Sequence, residues 1–221
     1  EDGPVMLLNE DGTAVAELEA MSRITTYTWE NRGYLCAQEA GLWGLVDGAQ
    51  QWVVEPAYQE IYGLSNGYAL CRTEDGCCAV SLDSGEVVLE SPHEITAVFS
   101  QGVLLELEES LLPRGVTGWG RSQFVSWDGE VYANAAAITV LDDEGDGQAD
   151  LLLLWSEGAT ETTDLCRPDG TLIRQVDCDA SALAPVSAGT LLWNRDEPAA
   201  DGSRLQTMVL LDVETGTITE R

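Results

Sequence analysis

Lysine is missing from all 221 residues: the ten bases are all arginines, and they stand against 39 acids, for a formal net charge of -29. Without lysine there is no phosphate-loop lysine and no Schiff-base lysine. Histidine is almost missing as well. His93 stands alone, so a two-histidine zinc motif cannot form, and any Ser/His or Cys/His nucleophile would need this one imidazole. Long apolar runs are lacking: LLLLW at 151–155 is far below the ~20 residues that a membrane helix needs. Helical i, i+3, i+4 periodicity is nearly absent too, with Ala14–Met21 the one ambiguous stretch.

What is present narrows the class further. Apolar residues make up 44% of the chain, enough for a core, so the high charge does not signal disorder. A surface this acidic repels nucleic acid and anionic membranes over about a Debye length, roughly 8 Å at physiological salt. Nucleic acid is therefore not an expected partner; cations and basic partners are. The six cysteines, Cys36, Cys71, Cys77, Cys78, Cys166 and Cys178, show no metal-type C-x-x-C spacing. Cys77 and Cys78 are adjacent in an expected strand and point to opposite faces, so at most one of them can face Cys71. Either disulfides or buried free thiols are compatible with this pattern. The chain opens at Glu1-Asp2, and the sequence is expected to be the mature part of an exported protein.

Short apolar runs ending in an Asp/Gly turn recur along the chain, with turn glycines at Gly12, Gly48, Gly85, Gly129, Gly170 and Gly216, spaced 36 to 46 residues apart. Each turn has the chemistry a tight hairpin needs for positive φ, and each is followed by a second β-rich run. Between Glu60 and Leu89 four short strands are predicted (60–64, 68–72, 78–82 and 86–89), and residues 23–56 lay down the same four one repeat earlier. Four strands about every 40 residues is the pattern of a propeller blade, whose two faces must be covered by neighbours. Five full units and a leading two-stranded hairpin follow, with units near 1–19, 20–56, 57–91, 92–134, 135–177 and 178–221. Five blades, six blades and an incomplete ring all remain open.

The stretch GLWGLVDGAQQWVVEPAYQEI, followed by GYALCRTEDG, resembles a WG repeat. Trp43, Gly44, Asp47, Val53, Val54, Pro56, Tyr58 and Ile61 carry the resemblance, which extends over about residues 33 to 106. The next unit keeps the frame but has Cys78-Ala79 in place of Trp43-Gly44 and Pro92-His93 in place of Pro56 and Tyr58. The family is defined by its repeat and has no common catalytic activity, so the resemblance implies architecture.

One loop stands apart. LDDEGDGQADLLLLW (141–155) places five acids within nine residues, directly before four leucines. The spacing Asp142-x-Glu144-x-Asp146-Gly147-x-x-Asp150-Leu151 resembles the calcium loop of integrin-type (FG-GAP) propeller repeats, which joins the first two strands of a blade. That resemblance implies Ca²⁺ held by Asp142, Glu144, Asp146 and Asp150 with the backbone carbonyl of Gln148, since calcium takes six to eight oxygens at about 2.3–2.6 Å. A divalent ion would relieve the mutual repulsion of these carboxylates. Glu144 departs from the Asp or Asn of that pattern. Its extra methylene can take it out of the ligand set, with Asp143 as substitute. The plainer alternative is a solvated acidic turn.

No spacing singles out a carboxylate pair for general acid–base work. His93 occupies a slot that another repeat fills with Tyr58 or Gln59, so it reads as a repeat aromatic. GVTGWG at 115–120 has no helix after it and reads as a turn, not a phosphate cradle. Trp43, Trp127 and Trp155 fall within predicted strands, as blade core. Trp29, Trp52, Trp119 and Trp193 fall at strand ends or in loops, available for packing between blades or for stacking on a sugar or anchoring a protein. The expectation is an all-β, single-domain β-propeller of four-stranded blades over residues 1–221. It would act as an extracellular or envelope-attached binding or scaffolding module without catalysis, with one structural Ca²⁺. Its ligand would be protein or carbohydrate at a propeller face, with no nucleic acid and no membrane insertion. The competing class is a carbohydrate-active propeller enzyme using an Asp/Glu pair in a central pocket. A third is one domain of a larger envelope protein whose remainder carries the activity.

Overall fold

The structure, a computed structural model, describes residues 5–8, 14–18, 26–29, 32–49, 51–107, 121–142, 144–155, 162–178, 182–187, 189–198 and 203–220. Among them are twenty-two β-strands and no α-helix. Of the ambiguous stretch that begins at Ala14, residues 14–18 form a strand, β2 (Ala14–Leu18), paired with β1 (Val5–Leu8) in a two-stranded antiparallel sheet. All other strands form five four-stranded antiparallel sheets in chain order.

The first sheet holds β3 (Thr26–Trp29), β4 (Arg32–Glu39), β5 (Leu42–Val46) and β6 (Trp52–Tyr58). The second holds β7 (Glu60–Ser65), β8 (Tyr68–Arg72), β9 (Cys77–Ser81) and β10 (Val87–Ser91). The third holds β11 (Glu94–Phe99), β12 (Gly102–Leu107), β13 (Arg121–Ser126) and β14 (Val131–Ala135). The fourth holds β15 (Ala137–Leu141), β16 (Leu151–Trp155), β17 (Thr163–Cys166) and β18 (Leu172–Val176), and the fifth β19 (Ala184–Ser187), β20 (Thr190–Pro198), β21 (Arg204–Asp212) and β22 (Ile218–Glu220). The chain divides into two compact units, Glu1–Val98 and Phe99–Arg221.

Burial along the strands explains their composition. A sheet with one wet face alternates apolar and polar residues; a strand covered on both faces reads as a continuous apolar run. Inner strands β8 and β9 bury Ala69, Leu70 and Cys71, then Cys77 to Val80 without interruption. Likewise, Leu151, Leu152 and Leu153 of β16 are all buried. The outer strands β10 and β18 are mostly exposed. In the first unit, residues of the first and second sheets interdigitate in one cluster that includes Leu45, Val54, Ile61, Cys71 and Val80. In the second unit, Leu153, Leu165 and Val176 of the fourth sheet meet Leu191, Trp193, Val209 and Leu211 of the fifth.

The WG motif has a mechanical reading here. Trp43 on β5 is the cross-strand partner of Tyr58 on β6, and both lie in or against the first cluster with Val54 and Ile61. Gly44 sits at a register shift where β6 comes very close. A Cβ there would lie 2.5 Å from the Val54 carbonyl oxygen, 2.8 Å from Trp52 Cζ3 and 2.9 Å from the Pro56 nitrogen. Glycine is required by space. Where Cys78-Ala79 replaces the pair in the next sheet, both residues are buried.

Between the second sheet and the next strand, polar side chains do the joining. Ser65 Oγ accepts the Val98 N–H at 2.9 Å, Asn66 Nδ2 donates to the Val98 carbonyl at 2.6 Å, and Tyr62 OH donates to Ile95 O at 3.0 Å. Asn66, with φ 45°, and Gly67, with φ 84°, form the left-handed pair of a tight hairpin turn that presents that amide.

All six cysteines are buried free thiols. Cys78 is the one that faces Cys71, as its direct cross-strand partner, and Cys36 lies in the same cluster. Burial pushes the thiols of Cys36 and Cys166 from 9.0 up to about 11. They serve as small apolar groups.

Gly44→Ala is expected to lower stability by roughly 1–3 kcal/mol through overpacking. Gly33→Ala, with nothing within 4 Å of the added Cβ, should stay within about 0.5 kcal/mol of the parent. Urea unfolding of the two variants checks this, and equal losses would remove the steric explanation. Thiol titration of the unfolded, unreduced chain should find all six groups. The raised thiol pKa values set a sign for alkaline pH. Their contribution is whole below pH 9, where the unfolded thiols are also protonated, and is lost between pH 9 and about 11, as the unfolded chain ionises first. Urea midpoints across that window should fall, and fall less in Cys36→Val.

Candidate functional site

The acidic loop joins β15 to β16, the first two strands of the fourth sheet. Its base is fixed from two sides. The Asp150 N–H donates to Leu141 O at 2.8 Å, closing the loop's neck. From the turn between β11 and β12, the Ser100 N–H donates to Gly147 O at 2.8 Å. Gln101 Oε1 accepts the Ala149 N–H at 2.9 Å while its Nε2 donates to Ala149 O at 3.1 Å. Gly147 and Ala149 are buried beneath this clasp.

The loop's acids divide by task. Asp142 turns inward: Oδ1 accepts the Asp146 N–H at 3.0 Å and Oδ2 accepts the Gly147 N–H at 2.9 Å. Asp146 accepts the Gln148 N–H at 2.8 Å and the Gln148 side-chain amide at 2.7 Å. Gly145 and Gly147, with φ 67° and 78°, supply the bends. Glu144 and Asp150 are exposed and line a neighbouring cavity. Asp143 lies outside the described residues. The donor set is all oxygen, as a hard cation requires, yet among the described residues no three His, Cys, Asp or Glu side chains gather in metal-holding geometry. Backbone amides occupy Asp142 and Asp146.

The cavity has a volume of about 270 Å³ and is built from turns of the fourth and fifth sheets. Its floor is apolar, with Leu151 and Leu191 buried and Leu141, Ile173 and Val213 half-buried. Its rim is charged: Glu144 and Asp150 from the β15–β16 loop, Arg167 from the β17–β18 turn and Glu214 from the β21–β22 turn. Sequence reasoning missed it because these residues are spread over more than seventy positions. Only the alternation of turns at one sheet end brings them together.

Four other acids near turns have structural uses. Asp47 Oδ1 accepts the N–H groups of Ala49 and Gln51, each at 2.9 Å. A hydrogen bond from Ser126 Oγ holds the Asp128 carboxyl below its ordinary range. Backbone N–H groups, of Thr171 and of Thr215, do the same for Asp169 and Asp212.

Tryptophan placement differs from expectation at Trp193 and Trp127. Trp193 is at the middle of β20 and 4% exposed, a core residue. Trp52 opens β6 and packs on Leu35, Ala37 and Val46. Trp127 lies not in a strand but in the β13–β14 turn, where its Nε1 donates to Ser100 O at 3.0 Å. Trp43 and Trp155 are half-buried within strands. Trp29 is in β3; Trp119 and the GVTGWG stretch lie outside the described residues, as does Gly12. His93 follows β10, its N–H donating to Ser91 Oγ at 3.0 Å, and among the described residues its buried Nδ1 has no hydrogen-bond partner.

Among curated proteins no sequence matches the chain. A crystal structure of the eukaryotic initiation factor superposes with a TM-score of 0.52 at 11% identity, over 100% of this chain and 61% of that one. The chain thus spans less than two thirds of the length of that structure. A crystal structure of the tricorn protease gives a TM-score of 0.31 at 10% identity, over 99% of this chain and 28% of that one. Residues 43–77, from the Trp43-Gly44 pair to the first residue of β9, match the WG containing repeat family.

Proposed function

We propose that the chain is a β-propeller-type module of WG-like repeats that binds rather than catalyses, exposed outside the cell or on its envelope, with the β15–β16 loop as a structural calcium site. The observation that carries this reading is the division of labour between strands and turns. Five successive sheets repeat one plan, and inner strands such as β8, β9 and β16 are apolar on both faces, as stacked blades require. The chemical variety is left to the turns, and several of their polar groups hold their own turn in shape. Among the described residues, the single histidine has no hydrogen-bond partner at Nδ1.

Calcium is supported by the alternate oxygen donors Asp142, Glu144, Asp146 and Asp150, by the Gln148 carbonyl and by the two left-handed glycines. Self-closure by hydrogen bonds to Asp142 is the competing state of the loop. Bound calcium would supply loop rigidity alone.

An affinity near 10⁻⁴–10⁻³ M, usual for extracellular modules, implies a gain of about 1.4–2.7 kcal/mol in 10 mM Ca²⁺. The melting temperature should therefore rise by several degrees over that in EDTA. Asp146→Ala should erase the difference, and an equal melting temperature in EDTA and Ca²⁺ for the parent rules the site out. A glycan and protein array tests the binding role; release of reducing sugar from an arrayed glycan would instead favour an enzyme.

A further inference from the structure

We infer that the cavity between the turns of the fourth and fifth sheets binds a small zwitterion with an aliphatic body, of the α-amino acid class. This goes beyond the binding-module reading and needs no calcium. Three observations lead to it.

The first is charge of both signs, unpaired, around one space. Among the described residues, the side chains of Glu144, Glu214 and Arg167 form no hydrogen bond and no ion pair within 4.0 Å, although all three line the same cavity. Arg167 acts on Asp169 of its own turn only as a weak attraction through space. A simple cation would satisfy the glutamates and be opposed by Arg167; a simple anion would meet the reverse. A ligand carrying ammonium and carboxylate together satisfies both, and guanidinium suits a carboxylate by its two-pronged donor geometry.

The second observation is the floor. Ile173, Leu191 and Val213 give the cavity an apolar wall beneath the charged rim, so the bridging ligand should carry an aliphatic group. The third is size. At about 270 Å³ the space falls just under the roughly 300–1,000 Å³ of pockets for drug-sized ligands, which fits a single amino acid. Glu144, the acid that departs from the calcium-loop pattern, lines this cavity, and the carboxylates that hold the loop closed are Asp142 and Asp146.

The test is isothermal titration calorimetry of the whole chain with L-leucine and with analogues that each lack one handle: leucinamide, isocaproate and glycine. L-leucine should bind, and each analogue should bind roughly tenfold or more weakly, the value of one charge-assisted contact or of the aliphatic group. In Arg167→Gln, leucine should fall to the level of leucinamide while leucinamide is unchanged; in the Glu144→Gln, Glu214→Gln double variant, the preference for leucine over isocaproate should vanish. These side chains are exposed, so the variants retain the fold, which circular dichroism verifies. Absence of heat with leucine, leucinamide binding as well as leucine, or an Arg167→Gln variant indistinguishable from the parent would each overturn the assignment.

Discussion

Two-sided burial of the inner strands is the constraint on which the structure depends. A four-stranded sheet whose middle strands read ALC, CCAV or LLLL cannot leave either face in water. Each such face buries several side chains worth roughly 1.5–3 kcal/mol apiece, so separate sheets are not stable and adjoining ones are. The chain meets this demand locally. Sheets form in sequence order from neighbouring strands, which keeps contacts short-range and makes each unit of about 40 residues a copy of one solution.

The same constraint governs where charge can go. With 39 acids to place and the buried stretches of the inner strands closed to them, carboxylates fall to exposed or half-buried strand positions, such as Glu106 and Asp164, and to the turns. There they accept backbone N–H groups, as Asp47, Asp142 and Asp212 do, and so convert a crowded negative charge into turn rigidity. The Asp-rich turn and the Leu-rich strand that adjoin at 150 and 151 are two products of one partition.

Much of this was legible from residues alone. Asp-Gly turns at regular spacing marked the hairpins, and between 60 and 91 the predicted strands differ from the observed ones by no more than two residues at any end. Trp193 was not legible, because the polar run that follows it resembles a loop. In the structure β20 continues through that run to Pro198, paired residue for residue with β21, and the tryptophan becomes central. Free thiols could not be told from disulfides by spacing, since the Cys71–Cys78 pairing depends on hairpin register. The charged cavity was invisible for a different reason: it is assembled from four separate connections, none of which carries a motif for it.

The clasp that Gln101 makes on Ala149 has a broader consequence. One amide side chain reads both the backbone donor and the backbone acceptor of a single buried residue, so it recognises backbone and ignores the identity of the residues beyond it. The tip of that loop can therefore diverge in length or chemistry while its foundation stays in register. Such an attachment lets a repeat protein acquire new recognition surfaces one loop at a time, with the underlying sheets untouched.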